Sequence, residues 1–159
     1  MLADEIHQIG LDEVNELEIK LGVATEKLGY KNLTQKEFLE KIRNEKSQKF
    51  SSKTEILQYF ENLIGQINPK LSKVFGPEVL KSEVFDIHPK EAPPSGGVFA
   101  YYKVPSLDGK RKGAFYVNLE KVEAWKRYET MALTMHEGNP GHNLQVFVLT
   151  SFTPTLINY

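Results

Sequence analysis

The chain opens with a helical rhythm. In "GLDEVNELEIKLGVATEKLGY" the apolar residues Val14, Leu17, Leu21, Ala24 and Leu28 recur at spacings of three and four. That spacing predicts a single apolar stripe on a helix, with Gly29 ending it. Thr34 to Glu37 and Ser52 to Glu55 both read S/T-x-x-E. In this pattern a hydroxyl caps the first turn and the acid three residues on reciprocates, so two further helix starts are predicted. The first of these helices turns Phe38, Leu39 and Ile42 inward. The second turns in Ile56, Phe60, Leu63, Ile64 and Ile67, and stops before Pro69.

After about residue 80 the period changes. "SEVFDIHP" alternates and predicts a short strand, and "KEAPPSGG" is a Pro/Gly connection. "GVFAYYKVP" and "GAFYVNL" predict two aromatic-rich strands, joined through "SLDGKRK" by a turn at Asp108-Gly109. From about Glu120 to Glu137 the helical period returns, with Trp125, Tyr128, Ala132 and Met135 on or near one face. The expected fold is α+β and predominantly helical. Helices lead to a small antiparallel β-hairpin, followed by a motif helix broken at Pro140. One partial domain is expected over 1–159, with a helical scaffold over 1–80, strands and hairpin over 81–119, and motif helices over 120–159.

Composition narrows the function classes. With 40% hydrophobic and 26% charged residues, the 159-residue chain can bury a core and is not a disordered segment. A net charge of −1 without a basic stripe argues against a nucleic-acid partner. No apolar run approaches the roughly 20 residues of a membrane span, and no apolar leader follows Met1. The compartment is left open. The chain has no cysteine, so any metal must be held by His, Asp or Glu.

The stretch that carries chemistry is "TMHEGNPGHNLQ" (Thr134 to Gln145). His136-Glu137 starts like the H-E-x-x-H zinc motif, in which two histidines one turn apart face one metal. Here the second histidine, His142, comes six residues after the first. On a straight helix that is a rotation of about 600°, which would aim the two rings apart. Pro140 lacks the N–H a continuing helix needs and restricts Asn139 before it, so a break is expected. The first helix is expected to end near Gly138, with Asn139 capping the next and Pro140 in its first position. Two helices meeting at such a corner can bring both imidazoles to one point. A plain capping turn, or a His136 satisfied by a backbone carbonyl, fits the same residues.

The order of "HQIGLDEV", "AYYKVPSLDGKRKGAFYVNL" and "ETMALTMHEGNPGHNLQ" shifts the balance toward the metal site. From about His7 to Gln145 this order resembles the domain-of-unknown-function family number eight hundred and eighty-five. Members of that family carry H-E-x-x-P-G-H-H-L-Q, and the family is similar to the helical zinc metallopeptidases of the gluzincin type. The resemblance implies a zinc-dependent hydrolase acting on peptides or related amides. His136 and His142 would be metal ligands, and Glu137 the general base acting on a metal-bound water. It also implies that the strand "GAFYVNL" pairs with an extended, peptide-like substrate, with Tyr116 and Asn118 holding substrate or stabilising the oxyanion.

Two departures follow from the same comparison. Asn143 stands where the family has a second consecutive histidine. A zinc site of this kind needs a third protein ligand, and the fourteen residues after Gln145 contain no Asp, Glu or His. Glu129, seven residues before His136 and about 10 Å away on the same helix face, is too far to be a ligand beside it, and Glu120, Glu123, His7 and His88 are weaker substitutes. The chain therefore reads as the central slice of a longer catalytic domain. The alternative is a truncated or degenerate homologue that binds without turnover. The apolar tail, Val146 to Leu149 and Phe152 to Ile157, is expected to leave a patch through which the chain self-associates.

Overall fold

Thr34 and Ser52 start helices as their pattern predicts. A computed structural model of the chain describes residues 1–93, 98–106 and 108–152. Thr34 accepts the Glu37 N–H, and the Glu37 carboxylate returns to the Thr34 N–H at 2.8 Å, closing a full capping box at the start of α2 (Gln35–Asn44). Ser52 likewise accepts the Glu55 N–H and opens α3 (Lys53–Ile67), but the Glu55 carboxylate goes to Ser51, not back to Ser52. The chain separates into two compact units, 1–48 and 49–159, a division inside the stretch expected to form one scaffold.

The N-terminal unit holds α1 (Ala3–Lys27) and α2. Gly29, at φ +87°, ends α1 as expected: its N–H reaches Glu26 O, and the Tyr30 N–H reaches Thr25 O. This is the paired arrangement of a Schellman cap, which favours glycine at its left-handed position. The apolar stripe fares differently, since Val14, Leu17 and Leu28 are all more than half exposed. Length explains this: α2 has ten residues against the 25 of α1, roughly 15 Å of cover for some 37 Å of helix. What packs lies at the C-terminal end, where Thr25 is buried and Tyr30 meets Phe38 edge-on at 5.3 Å.

In the second unit, α3 buries the five residues its period predicts, Ile56, Phe60, Leu63, Ile64 and Ile67. Phe60 is fully enclosed, with its ring edge-on to Phe115 at 5.3 Å and to Trp125 at 5.4 Å. Each such side chain contributes about 1.5–3 kcal/mol through burial. The opposing surface is a three-stranded sheet of β1 (Pro89–Glu91), β2 (Ala100–Lys103) and β3 (Ala114–Val117), in the order β1-β3-β2. The predicted hairpin is present, with β2 antiparallel to β3 and Tyr101 opposite Tyr116. Asp108 holds its turn by accepting from the Lys110 N–H at 3.1 Å, and Gly109 adopts φ +70°. β1 adds a parallel neighbour to β3 that the hydrophobic pattern did not predict.

Two boundaries are corrected. Ser82–Phe85, expected as strand, forms one helical turn, α4, and the strand follows at Pro89. Val84 and Ile87 are the buried residues there; a segment this short fits either period. The helix expected from Glu120 begins only at Arg127 and runs to Glu137 as α5, after a single tight turn at Val122–Ala124. Trp125 precedes the helix in extended backbone, where its ring enters the core and its indole N–H donates to Asn118 O at 2.8 Å. The buried face of α5 is Thr130, Thr134 and Glu137, while Ala132 and Met135 are exposed. The two threonines are buried at low cost, because each hydroxyl donates to a carbonyl of its own helix, Arg127 O and Thr130 O.

Arg127 ties the start of α5 to α3: its guanidinium lies over the rings of Phe50 and Tyr59, at 4.4 and 4.9 Å, and pairs with Glu55. The final helix, α6 (His142–Phe152), holds Val146, Phe147 and Val148 half-buried with Leu149 exposed; residues 153–157 of the apolar tail lie outside the described residues. Among the described residues no helix is long and apolar enough to cross a membrane.

Candidate metal centre

The corner forms, though its second helix starts two residues later than expected. α5 ends at Glu137, Gly138 caps it, and α6 begins at His142. Pro140 is therefore in the connection and not in the first turn of α6. The Asn139–Pro140 peptide is cis. Asn139 does not cap the helix: its Oδ1 accepts the Asn143 side-chain amide at 3.0 Å, and its own amide donates to Val84 O at 2.9 Å and Asn68 Oδ1 at 3.1 Å. The connection doubles back tightly, with the Gly141 N–H reaching Met135 O at 2.9 Å and the Asn143 N–H reaching Gly138 O at 3.1 Å. A Cβ at Gly141 would sit under 3.0 Å from the carbonyl oxygens of Met135 and His136. Only glycine permits this approach, and the approach sets His142 beside His136.

The two imidazoles meet edge-on with centroids 4.7 Å apart. A donor atom from each, together with a carboxylate oxygen of Glu137, falls within a spread of 4.8 Å. Both rings reach solvent, whereas Glu137 is buried. One of its oxygens is held by the backbone N–H of Tyr102 at 2.8 Å. This contact follows from the strand pairing. Tyr101 and Lys103 face β3 across the hairpin, so the Tyr102 N–H points out from the far edge of β2, toward α5.

Asn143 is turned away from the histidines. It is buried, and its amide donates to Val84 O at 2.8 Å and Asn139 Oδ1 at 3.0 Å. Asn139 and Asn143 thus form a latch that fastens the connection to the carbonyl of α4. His142 Nδ1 lies 3.4 Å from Gln145 Oε1. A proton donated there leaves Nε2 with its lone pair free for a metal.

Tyr116 and Asn118 make their contacts elsewhere. Tyr116 stacks on Tyr101 at 5.1 Å, on the sheet face opposite Phe115 and Val117. The Asn118 Oδ1 accepts the Glu120 N–H at 3.0 Å, and its carbonyl holds the Trp125 indole. The expectation that "GAFYVNL" pairs with a substrate is corrected, since β3 is the central strand and both its edges are taken. Among the substitutes for a third ligand, His88 pairs with Glu61 at 3.0 Å, His7 lies on α1 in the other unit, and Glu120 and Glu123 are exposed. Glu129 lines the far end of a hollow of about 570 Å³ that reaches His136 and Glu137.

The donor set suits zinc. Two ligands on one zinc, each about 2.1 Å from it, stand no more than ~4.2 Å apart, so modest side-chain rotation closes the present spread. His136 and His142 would hold the ion, leaving Glu137, anchored by Tyr102, beside it. Of these parts, the Tyr102 N–H and the Gly141 approach were missed by sequence reasoning. The first is a main-chain group, which has no signature in residue identity. The second had a visible signal, a glycine directly before the second histidine.

A family model described as "Bacterial protein of unknown function (DUF885)" matches residues 1–156. The chain belongs to this family. A solved structure titled "The crystal structure of the putative lipoprotein from Colwellia psychrerythraea" is similar, with a TM-score of 0.83 and 25% identity over 95% of the chain. The DUF885 chain spans about a quarter (26%) of that protein. No curated protein matches.

Proposed function

We propose that the chain supplies the motif-bearing part of a zinc-dependent hydrolase of peptide or related amide bonds. One observation carries this reading: across the helix break, His136 and His142 converge beside a buried carboxylate of fixed orientation. The ion, when bound by the two histidines, polarises a carbonyl and acidifies water. Glu137 takes a proton from the attacking water as the C–O bond forms, and delivers it to the departing amine as the C–N bond breaks. The Tyr102 N–H keeps one carboxylate oxygen aimed inward, so the other is left to handle the proton. A third protein donor is required and is assigned to the longer protein of which the relative is an example. Tyr116 and Asn118 are given no step.

One observation favours the non-catalytic alternative: among the described residues, the cluster holds two histidines and Glu137, with no further donor. Zinc content separates the two. The purified chain is expected to bind zinc weakly and below one equivalent, and His136→Ala to abolish that binding. In the full-length protein, Glu137→Gln is expected to keep zinc and lose hydrolysis. Zinc content indifferent to His136→Ala would overturn the metal site. Self-association, through the apolar surface the isolated chain exposes, belongs to the same proposal.

A further inference from the structure

The hollow beside the histidines is broad and open to solvent on one side. Its walls are Phe99, Trp125, Ala132 and Leu133, and its surface is mostly carbon. Phe99, half exposed, forms the accessible aromatic wall, and the buried Trp125 stands edge-on behind it at 5.3 Å. The other wall is the face of α5 that carries Ala132 and Leu133. His136 and Glu137 line it too, so the hollow is continuous with the candidate centre. Its far end carries Glu129, seven residues or about 10 Å back along the helix. That length suits one aromatic or long aliphatic side chain.

We propose that this hollow is a specificity pocket for the substrate residue next to the bond that is broken, an inference that rests on the hydrolase reading. It takes large apolar side chains. The exposed Glu129 carboxylate disfavours acidic ones through like-charge repulsion. Small side chains are disfavoured because they leave the aromatic wall wet.

The chain's single tryptophan, Trp125, lines the pocket and reports its filling. The purified chain, without zinc, is titrated with N-acetyl-L-phenylalaninamide while indole emission is followed. A saturable change is expected, with the alanine and glutamic acid analogues about ten-fold or more weaker. Ala132→Phe, at an exposed position that tolerates a larger side chain, should fill the pocket and remove the response. Glu129→Gln should bring back binding of the glutamic acid analogue. Because the titration is carried out without zinc, its outcome does not depend on the metal site, so this test and the zinc test fail independently. No saturable change with the phenylalanine probe, or a change that survives Ala132→Phe, overturns the pocket.

Discussion

The carboxylate of Glu137 accepts the backbone N–H of Tyr102 at 2.8 Å, so the acid of the motif also closes the free edge of β2. The residue given the proton-transfer role is therefore also a structural bond between α5 and the sheet. Substitutions at 137 separate the two roles. Glu137→Gln keeps an acceptor for Tyr102 and is expected to unfold within ~1 kcal/mol of wild type in denaturant. Glu137→Ala leaves that N–H unpaired and should cost about 1–3 kcal/mol. Equal losses in the two variants would show that the bond contributes nothing.

His142 and Asn143 are neighbours in sequence with opposite tasks. His142→Ala should remove zinc binding with little change in stability. Asn143→Ala should keep zinc but lower stability by about 1–2 kcal/mol, because the Asn139 Oδ1 loses its buried donor. Metal analysis and chemical denaturation on the same preparations distinguish the two. Zinc lost on Asn143→Ala, with stability unchanged, would make it a ligand.

Gly141 allows the connection to fold against the end of α5. Gly141→Ala places a methyl group against two carbonyl oxygens and should cost about 3 kcal/mol while moving His142 away from His136. The expected readout is a lower thermal midpoint together with loss of zinc. A variant that retains zinc at wild-type level would show that the close approach is dispensable.

Glu55 ties the start of α3 to α5, and its hydrogen bonds from Ser51, followed by Arg127, hold its carboxyl at about 2, well below the usual 4.5. A carboxylate whose pKa is depressed by folding adds stability above its unfolded value and loses it as the pH falls toward the folded one. The thermal midpoint should therefore decline between about pH 4.5 and pH 2, and Glu55→Gln should flatten that decline. An unchanged slope in the variant would remove Glu55 from the acid response.

Ile6, Ile9, Val14 and Leu17 on α1 are each at least half exposed. Their exposure predicts concentration-dependent association of the isolated chain in light scattering, reduced by Leu17→Lys. A monodisperse monomer at high concentration would contradict this.

The local signals were legible because they act over a few residues. The caps at Thr34 and Ser52, the left-handed glycine after α1, the buried face of α3 and the Asp108-Gly109 turn all depend on neighbours three or four positions away. The break near Pro140 was equally legible, since a missing N–H and a ring clash are properties of the residue itself. Where the sequence misled, the deciding partner was far along the chain. The stripe on α1 has too little helix opposite it, β1 exists only through β3, and Trp125 leaves the helical pattern to reach Phe60.

Sequence by itself determined that two histidines and an acid flank a proline corner. Tertiary structure decided that the corner closes with the rings in contact, that Asn143 turns inward to Val84, and that Tyr102 fixes Glu137. The reason is physical: local rules set where a chain bends. Hydrogen bonds and packing from distant segments set how far it bends and which side chains end up facing one another.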